Sequence, residues 1–169
     1  VMLAPTAAVA HGTHLSCLTQ DLTGSDSARS AFISVLDETS QVFGLRLKLV
    51  AIKLTESGRS LSTSVTNHNR NNTVDRGLFQ VNAEVWLPEM RRIGLEVGNP
   101  DLHDMRTNAL VAGWVLRRKM NRFPGDVYQA VGHYHKGGGV DASSERIRET
   151  YMRSFMPHLR RVVSRCYNA

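Results

Sequence analysis

No stretch of this chain approaches the roughly 18 consecutive apolar residues that a membrane-spanning helix requires, so no integral membrane segment is expected in the mature chain. No block of five like charges stands out either, although 21 Lys and Arg oppose 15 Asp and Glu. The formal charge of +6 favours anionic partners such as acidic glycans, a negatively charged envelope or nucleic acid. Without a basic arm, nucleic acid is the weakest of these. The basic residues thicken only towards the C-terminus, at Arg146, Arg148, Arg153, Arg160, Arg161 and Arg165. Internal repeats and sustained heptads are missing, which excludes solenoids and coiled coils. Cysteine is scarce, with Cys17 near one end and Cys166 near the other. In an oxidising compartment the two could form one bridge closing almost the whole chain, credited with roughly 5 kcal/mol by loop-entropy models; the alternative is two buried free thiols.

What is present fits one compact domain: 169 residues, 41% apolar and 21% charged, with no length for a second large domain. Val1 to Ala10 carry no charge and end in Ala8-Val9-Ala10, the small-x-small pattern that signal peptidase accepts. They read as the residue of a secretory signal, with an ordinary apolar N-terminal segment as the alternative. Residues 11–25 lack any period and read as a tethered arm. The single domain is then expected over residues 26–169.

Within it the pattern is mainly helical. Ala28, Phe32, Val35, Leu36, Thr39 and Phe43 recur at three- and four-residue steps until Gly44 interrupts them, which predicts an amphipathic helix. Residues 45–56 fit a strand by the alternation of Leu45, Leu47 and Leu49, or a helix by the face Leu45, Leu49, Ile52; helix is preferred, and it turns Glu56 towards that apolar face. Residues 59–76 are almost wholly polar and Asn-rich, so a surface loop or a short irregular hairpin is expected. Further helices are predicted from Asn82 as N-cap to about Arg92, from about Asp104 to Met120, from Asp126 to about Tyr134, and from about Ser144 onward. The last should carry Ile147, Tyr151, Phe155, Leu159, Val162 and Cys166 inward and kink at Pro157. Gly137-Gly138-Gly139 marks a flexible break before it.

Three segments carry the chemistry: Ala51-Ile52-Lys53-Leu54-Thr55-Glu56-Ser57-Gly58, then Asp75-Arg76-Gly77-Leu78-Phe79-Gln80-Val81-Asn82, then Ala130-Val131-Gly132-His133-Tyr134-His135-Lys136-Gly137. In order and spacing they resemble the lytic transglycosylases of lysozyme-like (goose-type) fold, over roughly residues 28–137. Those enzymes show Glu-Ser at a helix end, Gly-Leu-Met-Gln-Ile-Asn after a polar loop, and Ala…Tyr-Asn-x-Gly later. The pattern looks closest to the small exported members that accompany type III and type IV secretion or conjugation machines, which commonly carry Asp two residues before the Gly-Leu-x-Gln element.

The resemblance implies cleavage of peptidoglycan glycan strands in the periplasm or elsewhere in the bacterial cell envelope, without cofactor or metal. Glycosidic cleavage needs a proton for a poor leaving oxygen, and Glu56 is the implied acid/base. A Glu making a surface ion pair is the bland alternative. Asp75 falls near the second carboxylate of lysozymes, which makes a hydrolytic muramidase the enzymatic rival; its alternative is a turn-capping Asp. Ser57, Phe79, Gln80, Asn82 and Tyr134 are the implied substrate-binding residues, with Leu78 beside Phe79 walling the cleft and the Tyr134 hydroxyl near Glu56. His135 stands where Asn is usual. A metal reading of His133 and His135 fails because residues at i,i+2 on a helix diverge and no Cys or acidic cluster completes a site. Trp86 and Trp114 could stack on sugars or pack in the core. A catalytically inactive peptidoglycan-binding assembly protein is the rival from another class.

Overall fold

The structure, a computed structural model, describes residues 16–167; the secretory reading of Val1 to Ala10 lies outside them. Among these residues, six α-helices and a small sheet follow one another. Helix α1 spans Asp26–Phe43 and α2 Arg46–Ser57. Strands β1 (Thr66–His68), β2 (Val74–Arg76) and β3 (Val81–Asn82) come next, then α3 (Ala83–Arg92). After a 3₁₀ turn at Pro100–His103 come α4 (Met105–Arg122), α5 (Val127–His135) and α6 (Ala142–Tyr167). The fold is mainly helical and lysozyme-like, as expected.

Local chemistry accounts for the boundaries. Side chains of Ser25, Asn82, Asp104 and Asp126 each accept a hydrogen bond from a backbone N–H in the first turn of the helix that follows, satisfying donors that a helix start leaves unpaired. Gly44 ends α1 in the left-handed conformation, φ 66°, which costs glycine nothing. The ambiguous segment at residues 45–56 is helical, because burial on several sides suits a helix whose residues 49–54 all lie in the core. The polar segment after it forms a hairpin, and β3 extends this to an antiparallel sheet in the order β1-β2-β3. Asp75 sits in the central strand, paired with Asn67 on one side and Asn82 on the other.

The core is organised around α2, which packs chiefly on α6, while α1 packs on α4 and α4 on α5. Gly113 of α4 permits this, since a Cβ there would stand 2.7 Å from Phe43 and Thr39 side-chain carbons of α1. Two sequence expectations change. Residues after Ser16 are no loose arm: Cys17, Leu18 and Leu22 lie in the core and Thr23 bridges to Ser60. Ile147 does not point inward; it is 41% exposed, and Arg148 is buried one position on. Helix α6 runs through Pro157 as one element.

Cys17 and Cys166 are joined by a disulfide, 149 residues apart in the chain. The bond ties the N-terminal segment to the last turn of α6, adding a covalent link to the packing of both on the core. Replacing both cysteines by Ser is expected to lower the unfolding free energy by about 2–5 kcal/mol, read from urea transitions; an equal midpoint for the variant would show that packing alone holds the two ends.

Candidate active site

Glu56 is the penultimate residue of α2, its side chain only 11% exposed. The turn after it is held from both directions. The Ser57 hydroxyl donates to the Leu78 carbonyl at 2.7 Å and to the Lys53 carbonyl at 3.2 Å. Lys53, wholly buried, sends its ammonium to the carbonyls of Gly58 and Ser60 at 2.7 and 2.6 Å. Both carbonyls lie just beyond the helix, so a side chain of α2 fastens the turn that follows Glu56.

The segment from Gly77 to Asn82 is fastened to α4 by Asn108, which is buried. Its amide donates to the Arg76 carbonyl at 2.9 Å and its oxygen accepts the Phe79 N–H at 2.9 Å. This clamp requires glycine at position 77, where φ is +74° and a Cβ would stand 2.3 Å from the Leu102 carbonyl oxygen. Gln80 is also left-handed, φ 47°, a conformation that costs a non-glycine residue of order 1 kcal/mol and is met where a site imposes it. Its amide nitrogen donates to the Gly77 carbonyl at 2.8 Å.

Asp75 is gripped by two amides. Asn69 donates to one carboxylate oxygen at 2.9 Å and Asn82 to the other at 2.8 Å, while the Asn82 oxygen caps α3. Both carboxyl oxygens thus act as hydrogen-bond acceptors. Tyr134 donates its hydroxyl to the Phe79 carbonyl at 2.9 Å. Burial pushes this phenol well above its usual range, and the charges of Glu56 and Asp75 push it further. Tyr134 is thus a neutral donor set between the two carboxylates' fields.

These elements enclose a groove of about 570 Å³ lined by Glu56, Asp75, Gln80, Asn82, Trp86 and Tyr134, among others. A second hollow of about 580 Å³ continues along α6 past Arg146 and Tyr151, with Glu56, His135 and Ile147 common to both. Trp86 stands at the groove, braced edge-on by Trp114 with ring centroids 6.0 Å apart. Another hollow, beside the disulfide, is lined by Arg46 and Lys48 and has no carboxylate in its wall.

The sequence motifs of this groove meet a family pattern: the model of the Transglycosylase SLT domain matches residues 38–154. The chain belongs to this family. SLT domains are lytic transglycosylases that act on peptidoglycan, a polymer of the cell envelope. Among curated proteins and among solved structures, nothing matches the chain.

In this SLT domain the structure gathers Glu56, Asp75, Gln80, Asn82 and Tyr134 around one groove. Three of the residues expected at the cleft do other work. Phe79 is fully buried and stacked on Phe32 at 6.3 Å, and Leu78 is fully buried too, so neither walls the cleft; large apolar side chains between α1 and α4 are worth more in the core than at a wet surface. Ser57 binds the Leu78 carbonyl and so aligns the second motif with the first. Sequence reasoning passed over four residues. They are Lys53, Asn69, Asn108 and Arg148, whose buried guanidinium binds the carbonyls of Gly139 and Lys136 and the carboxylate of Glu145 and so fastens the glycine-rich segment to α6. A charged residue inside an otherwise apolar helical run was the available signal for Lys53.

Burial holds the Lys53 amine down at about 8, against about 10.4 for a lysine in an unfolded chain. Between these values the unfolded state carries the extra proton, so stability rises with pH over that window. Lys53→Met, which strips two carbonyls of their donor, is expected to lower stability by about 2–4 kcal/mol at pH 7. The margin of wild type over the variant should widen from pH 8 to pH 10, and urea midpoints that keep a constant separation would contradict the depressed value.

Proposed function

We propose that this protein cleaves the β-1,4 bond between N-acetylmuramic acid and N-acetylglucosamine in peptidoglycan, with Glu56 as acid and then base. As acid, Glu56 gives its proton to the glycosidic oxygen as the C–O bond breaks, and the departing strand leaves with a hydroxyl. As base, the carboxylate then takes the proton of the muramic acid C6 hydroxyl while that oxygen closes on C1, giving a 1,6-anhydro end and restoring the acid. No water is consumed. The observation that carries this reading is the position of the Glu56 carboxyl, sheltered at a helix end yet opening on a groove with amide and aromatic walls.

Asp75 supports the cationic transition state by its field. It lines the same groove, and two amides hold it as an acceptor. That same feature favours the second reading, a hydrolytic muramidase in which Asp75 stabilises C1 until water attacks. The family match favours the first. The proposed setting is the periplasm or outer envelope, where local openings in the wall would serve a secretion or conjugation apparatus; the basic surface and the disulfide are compatible with it.

Glu56→Gln should keep the fold and lose at least about 100-fold in turnover of purified cell wall. Asp75→Asn should lose roughly tenfold or more. Mass analysis of the released muropeptides should find anhydro ends; reducing ends would transfer the assignment to hydrolysis. A wild-type protein that binds wall without clearing a zymogram would reduce it to a binding protein.

A further inference from the structure

His135 is the last residue of α5, next to Tyr134. Its Nδ1 stands 3.4 Å from Glu56 Oε1, and its side chain is 38% exposed. One side of the ring therefore meets solvent and the other meets the carboxyl. The ring plane is set by Tyr151 of α6, on which it stacks at 4.2 Å and 10°. Tyr151 is itself buried, and burial, the charge of Glu56 and a hydrogen-bonding contact with that carboxyl all push its phenol up, although the contact falls short of good hydrogen-bond geometry. The imidazole is thus built into a packed wall and aimed at the acid.

We propose that His135 is a positioning residue that shares the proton inventory of Glu56, so that the acid works as one half of a coupled pair. The proposal rests on Glu56 being the acid/base. Neutral imidazole orients the carboxyl without opposing its proton. Imidazolium attracts the carboxylate across 3.4 Å and so holds Glu56 in the form that cannot protonate the glycosidic oxygen. Protonation of the ring therefore holds back the acid step, as an uncharged amide at position 135 would not.

The charged groups around the pair leave this contact dominant. On its own element, Lys136 follows His135, while His133 is turned to the Gly137 carbonyl at 2.9 Å and stacked on Phe123. From α6 come Tyr151 and Arg146, the latter lining the hollow on the far side, while Arg148 is occupied by Glu145 and backbone carbonyls. From the sheet side Asp75 and Arg70 face the groove. Glu56 is the carboxylate within ion-pair distance of the His135 ring.

The test is the pH profile of peptidoglycan turnover by wild type, His135→Asn, His135→Gln and Glu56→Gln. The ratio of His135→Asn to wild-type kcat is expected to climb severalfold as pH falls from 8 to 5, with His135→Gln following the same curve. A ratio that stays flat, or a Gln variant that tracks wild type, overturns the coupling. Glu56→Gln is expected to be inactive throughout. Activity in that variant would instead overturn the assignment of the acid on which the proposal rests, so the two failures are distinguishable. Thermal melts of each variant across the same range show whether an activity change is a folding change, and a ratio that follows the melts counts against the coupling.

Discussion

A lysine ammonium taken wholly out of water has to find acceptors within the protein, and the region around Glu56 is arranged around how Lys53 of α2 meets that constraint. Residues 49–54 lie in the core, so the Lys53 side chain starts from a buried position. Lys53 turns its ammonium to the carbonyls of Gly58 and Ser60, and Ser57 reaches the Leu78 carbonyl. Those bonds fix the turn directly after Glu56 and couple it to the Gly77–Asn82 segment. Without them the acid would sit on a fraying end.

The opposite wall is built on the same logic, with amides in place of a cation. Asn108 serves both a carbonyl and an N–H of the Gly77–Phe79 backbone, and Asn82 serves both the start of α3 and the Asp75 carboxylate. Each side chain satisfies two partners, which sets their spacing rigidly. Tyr134 adds a third tie, from α5 to the Phe79 carbonyl. The polar residues of the motifs therefore divide into those that hold the backbone and those that face the groove, and several do both.

Much of this was legible from the residues. Helix limits near Gly44, Asn82, Asp104 and Asp126 followed from the sequence, because caps act over three or four residues and need no tertiary information. The grouping of Glu56, Asp75, Gln80, Asn82 and Tyr134 followed from motif order. The errors share one cause, since a motif names positions without saying which side of the backbone faces solvent. Phe79 and Leu78 lie in a groove-forming segment yet point into the core, and Ile147 obeys the helical period of α6 but falls at its exposed edge. Residues near Cys17 showed no period because they pack as a short irregular turn anchored by a disulfide.

By itself the sequence determined the helical class, the caps, the acid at a helix end and the family motifs, all of which depend on residue type and short spacing. Tertiary structure alone decided what surrounds the acid. His135 reaches Glu56 from a helix nearly eighty positions later, Tyr151 stacks behind it from another, and Lys53 finds its carbonyls only once the turn after α2 has closed. Such contacts depend on how elements cross, and side-chain direction at a crossing is settled by packing volume rather than by local propensity.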